Sequence, residues 1–390
     1  VRVQLPRSVE GAGQIETEDA RRCEDCGYHH PVSVGTDTCE GCGARLGAKT
    51  YGLLRLQTVH TRRRERISSD EEERRRSGFE LEVSYRFASH GDRPGRIDAN
   101  TSANGMSLVD ATYGDAATIR IANVGRRRRK DEADRGFWLD VEQRRWTKRA
   151  IDPDDEDENG GKAPARVQKV IPYVKDRRNS LVVALANEWD LNVMASLEAS
   201  LKRAIQIEYQ LEDAELATEA LPTRQNRRHL LFFEASEGGA GVLRQLVEDP
   251  GAWKRVARTA LALCHFDPDT GADLGKAEHA AEKCQAACYD CLLSYFNQPD
   301  HESLDRHCVK DLLQQIMTGT MEPSPVEIPR AEHLAQGAGP LSGGATGPGQ
   351  GDGGRHDVLV GAGHPDQLVE GGPHGGLVAG GPPLGQVGLG

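Results

Sequence analysis

The segment Cys284-Gln285-Ala286-Ala287-Cys288-Tyr289-Asp290-Cys291 places three cysteines within eight residues, at spacings of four and three. Such spacing lets a short piece of backbone aim several thiolates at one point, as a tetrahedral Zn²⁺ requires. Core cysteines are expected singly among apolar residues, whereas these stand beside Glu282, Lys283 and Asp290. The segment therefore predicts a zinc site. Buried thiols are the alternative, and redox chemistry has no other support in the chain.

Three thiolates do not close a structural zinc site, so a fourth ligand is expected from elsewhere. The candidates in the surrounding sequence are Cys264, His265, His279, His301, His307 and Cys308. Cys264 is the preferred one, because it ends a short apolar helical run from Ala260 to Leu263. With no fourth protein ligand, a water would complete the site and a catalytic zinc would become the alternative. No well-placed general base accompanies it.

A second cysteine pattern lies near the start of the chain. Cys23-Glu24-Asp25-Cys26-Gly27 is followed, after twelve residues, by Cys39-Glu40-Gly41-Cys42-Gly43. In each C-x-x-C-G half the glycine allows a turn that points backbone N–H groups at the sulfurs. Cys23, Cys26, Cys39 and Cys42 are thus predicted to bind a second Zn²⁺, without which this segment should not fold. Such a ribbon either holds a domain together or contacts nucleic acid.

The composition bounds the function class. The net charge is −11, but basic runs stand at 62–66 and 126–130 and an acidic run at 152–158. The arginines Arg126, Arg127, Arg128 and Arg129 at a hairpin tip either contact phosphates or solubilise a turn. Nine cysteines without a signal peptide or an 18-residue apolar run predict a cytoplasmic protein that binds metal and lacks disulfides.

Patterning predicts an α+β chain with six parts. These are a linker (1–20), a zinc ribbon (21–48), a β-rich segment (49–151), a linker (152–174), an α/β zinc-binding domain (175–320) and a disordered glycine-rich tail (321–390). Residues 331–390 contain one arginine and no lysine, which is also what a frameshifted GC-rich sequence would give. The first residue is Val, so we expect a fragment or a non-standard start.

Several elements follow from periodicity. Alternation from Phe79 to Phe87 predicts a half-buried strand, and apolar residues from Val193 to Ile205 predict a long amphipathic helix. Further strands are predicted at 118–124, 137–141, 181–185 and 230–233, and helices at 69–76, from 242, at 251–264 and at 303–317.

A glycine-rich turn follows the strand that ends at Glu234. Gly238, Gly239 and Gly241 precede a helix, an arrangement that can bind an anion. The alternative is a tight turn that needs small residues for packing. Glu234 and Glu237 beside it raise a hydrolase as a third functional hypothesis, although no nucleophile–base pair accompanies them.

Residues 175–317 resemble the C-terminal MrfA-like zinc-binding domain of superfamily 2 DEAD/DEAH-box helicases, a domain of unknown function also found in DrmB of the DISARM phage-defence system. The resemblance rests on Glu234 with 238–241, on Cys284, Cys288 and Cys291, and on Ala287–Tyr295, Asn297-Gln298, Asp300-His301 and Leu304-Asp305-Arg306. The ribbon and residues 67–87 are similar to the region that precedes the domain in long bacterial helicases. The resemblance implies zinc binding by the three cysteines and a role as accessory to a motor.

The sequence departs from the full helicases because it has no GxxxxGK[ST] and no Asp-Glu-x-His or Asp-Glu-Ala-Asp box. Without a phosphate cradle and Mg²⁺ ligands it has no means of hydrolysing ATP by itself. We expect a zinc-stabilised accessory region of a DNA helicase, in cis or in trans, in DNA repair or phage defence. The alternative is a structural or protein-docking zinc module without nucleic-acid contact.

Overall fold

The computed structural model describes residues 15–32, 35–47, 49–56, 78–90, 93–103, 105–127, 134–141, 145–147, 167–236 and 238–324. Its strands are β1 Glu18–Arg22, β2 His29–Pro31, β3 Lys49–Arg55, β4 Phe79–Arg86, β5 Ser89–His90, β6 Arg93–Pro94, β7 Ile97–Ala103, β8 Met106–Arg126, β9 Phe137–Asp140, β10 Arg145–Thr147, β11 Val167–Leu185, β12 Leu216–Thr223, β13 Asn226–Glu234 and β14 Thr320–Pro323. Its α-helices are α1 Leu191–Glu208, α2 Val242–Glu248, α3 Ala252–Leu263 and α4 Lys310–Thr318, and a 3₁₀ segment covers Tyr295–Ser303. The α+β prediction is confirmed.

Two long antiparallel strands form the centre of a 12-stranded sheet. β8 and β11 pair from Val109–Leu185 to Ala122–Tyr173. The edge of β8 that faces away from β11 pairs with β7 and then with β4. The edge of β11 that faces away from β8 pairs with β9, β3 and β13 in turn. The two long strands therefore join the N-terminal and C-terminal parts of the chain in one sheet.

Side chains alternate between the two faces of this sheet, and each face has its own core. Leu181 and Val183 of β11, with Phe232 of β13, point into a large core formed with α1 to α4. Val182 and Leu231 point to the opposite face, where they pack with the ribbon cysteines and Tyr28. The two cysteine clusters are consequently on opposite faces of the same sheet.

The predicted division of the chain differs from this architecture in two places. β11 starts at Val167, so the expected boundary at 174/175 falls inside a strand and not in a linker. The expected ribbon is not a separate unit either, because β1 pairs with β3 and β3 continues the sheet through β11. Periodicity within one segment carries no information about which distant strand will pair with it, and therefore the boundary was misplaced.

The helices follow the predicted pattern closely. The apolar positions from Val193 to Ile205 that predicted α1 are all buried. The predicted C-terminal helix from 303 begins only at Lys310. The expected helix at 69–76 lies outside the described residues. The predicted disordered tail at 321–390 is wrong at its start, because 321–323 belong to β14, which pairs with β7, and its residues beyond 324 lie outside the described part of the chain. Among the described helices, none combines the length and apolar character needed to cross a membrane.

Candidate metal centres

Two knuckles bring the ribbon cysteines together. Cys23 and Cys26 lie in the turn between β1 and β2, and Cys39 and Cys42 form the same turn further on. In each knuckle a glycine with positive φ closes the loop, Gly27 at 76° and Gly43 at 78°, and donates its N–H to the carbonyl of the first cysteine at 3.0 and 2.8 Å. The positive φ agrees with the predicted turn, but these two N–H groups bond carbonyl oxygens, and it is the N–H of Gly41 that faces a sulfur, Cys39 Sγ at 3.3 Å.

The spacing of the sulfurs fits a tetrahedral zinc. The four ligand atoms all lie within 4.8 Å of one another. Cys23 and Cys42 have Sγ atoms 3.6 Å apart, as do Cys26 and Cys39. A tetrahedron with Zn–S bonds of about 2.3 Å has edges of about 3.8 Å. Cys23, Cys26 and Cys39 are buried and Cys42 is exposed.

The thiols of this site cannot all ionise without a cation. Hydrogen bonds from Cys26 and Cys39 lower the pKa of Cys23. The contacts with Cys23 and Cys39, together with burial, raise the pKa of Cys26. One thiolate is therefore stabilised at the expense of its neighbours, and a divalent metal is what allows four thiolates side by side.

The second cluster is made of Cys284, Cys288, Cys291 and His265, whose ligand atoms also lie within 4.8 Å of one another. The Sγ of Cys291 is 3.8 Å from that of Cys284 and 3.5 Å from that of Cys288. The Nε2 of His265 is 3.2 Å from the Sγ of Cys288. Three thiolates and one imidazole form a Cys₃His donor set, which suits a structural Zn²⁺. The cluster predicted from 284–291 is brought together, and a protein side chain occupies the fourth corner.

His265 reaches the cluster because of how α3 ends. The N–H of Phe266 donates to the carbonyl of Leu261, and the N–H of His265 to that of Ala262, both at 3.0 Å. This is a Schellman cap, in which the residue after the helix takes a left-handed conformation and is usually glycine. Here the residue is His265, with φ of 60°. Strain of this kind costs on the order of 1–3 kcal/mol and persists only where the surrounding structure holds the residue in place.

Cys264 is not the fourth member, and the preferred assignment is corrected. Its side chain completes the apolar face of α3 with Ala257, Ala260 and Leu261 and is fully buried in the main core. Burial raises the pKa of this thiol to about 12. The next residue, His265, has the left-handed conformation, and its side chain is the one that joins the cluster. Sequence spacing alone does not distinguish the two neighbours.

The other candidates make different contacts. His279 is exposed beside Asp290, at 3.3 Å. The Nε2 of His301 lies 3.0 Å from the Ser294 carbonyl. His307 contacts Asp305 at 2.9 Å, and Cys308 donates to the carbonyl of Asp305 at 2.9 Å. None of the four belongs to either cluster within the described part of the chain.

Two arginines hold the second cluster in place. Arg306, 2% exposed, makes a bidentate pair with Asp273 at 2.7 and 2.9 Å. It also donates to the carbonyls of Cys264 and Cys284, both at 3.2 Å. The contact with Arg306 holds the pKa of Asp273 well below its usual range. Arg306 thus ties the end of α3 to the cysteine loop.

The second arginine comes from α1. Arg203 donates to the carbonyls of Tyr289 and Cys291 at 2.6 and 3.1 Å. A Cys₃His site with Zn²⁺ carries one net negative charge, which a nearby guanidinium partly offsets. No local pattern predicts this contact, because Arg203 lies 86 and 88 residues from the carbonyls to which it donates.

The glycine turn is already occupied by an internal carboxylate. Glu234, at the end of β13, accepts from the N–H groups of Gly241 and Leu243 at 3.1 and 3.0 Å, and from Asn179 at 3.1 Å. A Cβ on Gly239 would lie 2.1 Å from the Glu234 carboxylate. These contacts favour the tight-turn interpretation over an anion site. They also leave Glu234 buried as the cap of α2, whereas Glu237, the other carboxylate of the hydrolase hypothesis, lies outside the described residues.

The arginine run is described only in part. Arg126 ends β8, and the N–H of Arg127 donates to the Gly78 carbonyl at 3.1 Å. Both side chains are exposed. Arg128 and Arg129 lie outside the described residues, so their predicted contact with phosphates stays a prediction.

The fold and both centres define a zinc-binding α+β protein. Residues 197–292 match the family model described as the MrfA Zn-binding domain, and this range contains all four members of the second cluster. The chain is also similar to the crystal structure of the DUF1998 helicase MrfA bound to DNA, with 9% identity and a TM-score of 0.32. That match covers 61% of this chain and 25% of the helicase chain. No curated protein matches. The segment 197–292 is thus similar to the MrfA Zn-binding domain, and its Cys₃His cluster is a donor set that suits zinc.

Proposed function

We propose that this chain is a zinc-stabilised accessory region that works with a DEAD/DEAH-box DNA helicase motor, in cis or in trans. The observation that carries the proposal is the Cys₃His cluster, which lies wholly inside the segment that matches the MrfA Zn-binding domain. We expect it to serve either DNA repair or phage defence, in the cytoplasm.

The position of the two metal centres supports an accessory role. Each zinc would fix a loop-rich layer against one face of the shared sheet, and neither cluster leaves a corner open for substrate. Closed sites of this kind contribute folding energy and not catalysis. The chain then supplies a rigid body, while the chemistry of ATP hydrolysis belongs to the motor.

The test is association with a motor and its consequence for activity. The zinc-loaded chain is co-expressed with a superfamily 2 helicase motor of the same organism, and complex formation, DNA binding and DNA-stimulated ATP hydrolysis are measured. We expect a complex and an altered ATPase rate. A chain with zinc bound that neither associates with a motor nor binds DNA contradicts the proposal.

A second candidate is a docking module that contacts the motor but no nucleic acid, and one surface favours it. Tyr289, Tyr295 and Phe296 are 64%, 52% and 65% exposed, directly beside the second cluster. Tyr295 and Phe296 contact each other edge-to-face at 5.7 Å. Exposed aromatic groups of this size are typical of protein contacts.

Charges of both signs lie around this aromatic surface. Lys202 lies over the Phe296 ring at 5.8 Å, and Asp300 of the 3₁₀ segment pairs with Arg227. Salt distinguishes the two candidates, because phosphate contacts weaken steeply as salt rises and an apolar surface does not. Binding to the motor that survives high salt, together with no binding to DNA, supports the docking module.

A further inference from the structure

A histidine outside the ribbon tetrad stands against one of its sulfurs. His30 lies on β2 and is 1% exposed. Its Nε2 is 3.4 Å from the Sγ of Cys39. In a tetrahedral site with one imidazole ligand, the N–S edge is about 3.5 Å, from Zn–N of about 2.0–2.1 Å and Zn–S of about 2.3 Å. The imidazole of His30 is therefore as near to Cys39 as a ligand would be.

The other nitrogen of His30 faces a carboxylate. Its Nδ1 has no hydrogen bond, and the nearest charged group is the Oε1 of Glu40 at 3.7 Å. Arg86 holds Glu40 through a contact of 3.0 Å. Zinc-bound histidines commonly donate their second N–H to such a carboxylate, which fixes the tautomer. A carboxylate of the kind that supports a zinc-bound histidine thus lies near Nδ1 of His30, although the two groups are not hydrogen-bonded.

One of the four cysteines is poorly protected. Cys42 is exposed, whereas Cys23, Cys26 and Cys39 are buried. Cys39 also receives the N–H of Gly41 at 3.3 Å. Solvent and reagents therefore reach Cys42 before the other three ligands. A substitute ligand at this position would keep the zinc bound when Cys42 is lost.

We propose that His30 is a reserve zinc ligand, which binds the metal through Nε2 when Cys42 is lost and converts the ribbon site from Cys₄ to Cys₃His. With Cys42 in place, Nε2–H donates to the Cys39 sulfur. On exchange the Zn–Nε2 bond replaces the Zn–Sγ bond to Cys42, Nε2 gives its proton to solvent water, and Nδ1 takes one proton from solvent and directs it at Glu40, so the ring stays neutral. The ribbon then keeps its zinc with the same donor set as the second cluster.

The test compares four chains: the wild type, Cys42→Ser, His30→Gln and the double variant. Zinc per chain is measured by elemental analysis after gel filtration with a mild chelator. Zinc-bound imidazoles are counted by long-range ¹H–¹⁵N NMR of the histidine rings. Cys308→Ser is the control, because this half-buried cysteine lies outside both clusters.

The expected zinc content is two per chain in the wild type and both single variants, and one in the double variant. The number of zinc-bound imidazoles is expected to rise from one, His265, to two in Cys42→Ser.

One zinc in Cys42→Ser overturns the proposal, whether the ribbon unfolds or not, because a reserve ligand would have retained the metal. Two zincs in the double variant overturn it as well, since water would then be the fourth ligand. One zinc in His30→Gln alone makes His30 a requirement of the resident site and not a reserve.

Discussion

Replacing Arg306 by Met tests whether the second zinc site depends on the guanidinium that joins its two halves. The substitution keeps an unbranched side chain but removes the bidentate pair with Asp273 and the donors to the carbonyls of Cys264 and Cys284. The side chain of Asp273 is 43% exposed, so loss of the ion pair itself costs only about 0–1 kcal/mol, whereas each buried carbonyl without its donor costs about 1–3 kcal/mol. These costs overlap, so we expect a loss of about 2–4 kcal/mol in the free energy of unfolding.

The effect on the metal should be separate and measurable. Removal of an outer contact of a zinc ligand lowers metal affinity by about 10–100-fold. We therefore expect chelator competition to show one zinc of unchanged affinity and one weakened by about 10–100-fold. Urea unfolding followed by circular dichroism gives the stability.

The matched control is Arg258→Met. Arg258 also makes a bidentate pair, with Asp269 at 2.6 and 2.7 Å, but both partners are exposed. Exposed pairs contribute little to stability, so this variant should behave as the wild type. Equal effects of the two substitutions, or an Arg306→Met chain with both zincs unchanged, would refute the assigned role of Arg306.

Three further predictions follow. Cys264→Ala should keep two zincs per chain and lose on the order of 1–2 kcal/mol from the core, whereas His265→Ala should fall to one zinc by elemental analysis. Glu234→Gln should lower the free energy of unfolding by about 1.5–3 kcal/mol, because charge-assisted hydrogen bonds cap α2, with DNA binding unchanged in a filter assay. Burial raises the pKa of Glu219 from 4.5 to about 7, so the folded chain holds a proton that the unfolded chain has released. Stability contributed by this group is therefore lost as pH rises from 4.5 through 7, and Glu219→Gln should stabilise the chain more at pH 8 than at pH 5 in urea titrations.

The ribbon site could be predicted almost completely because its geometry is local. Each C-x-x-C-G half closes within five residues, and the positive φ of Gly27 and Gly43 is what the motif requires. The burial of α1 was predictable for the same reason. Helical periodicity is set by neighbours in sequence, and the core here follows it.

The fourth ligand of the second site was not predictable at the same level. His265 and Cys264 are adjacent, and only the Schellman cap, with His265 at φ of 60°, decides which side chain faces the cysteine loop. A histidine directly after an amphipathic helix that ends in a buried cysteine is the signal that could have suggested it. The contacts of Arg203 and Arg306 join segments far apart in the sequence, so no local pattern reveals them.

The extent of the sheet was also beyond local patterning. β11 joins β8, β3, β9 and β13, and four separate stretches of sequence must meet for that strand to be satisfied along both edges. A strand of 19 residues was therefore divided between a predicted linker and a predicted domain. The glycine turn after Glu234 resembled an anion site because its internal occupant is visible only in three dimensions.

Zinc K-edge X-ray absorption, combined with elemental analysis of the purified chain, tests most directly the claim that this protein is built around two closed zinc sites. We expect two zincs per chain, bound in total by seven sulfur ligands and one imidazole nitrogen, with no bound water. A content of one zinc per chain would mean that one of the two clusters binds no metal, and would contradict this claim. Eight sulfurs would return Cys264 to the second site, and the account of its fourth ligand would be wrong.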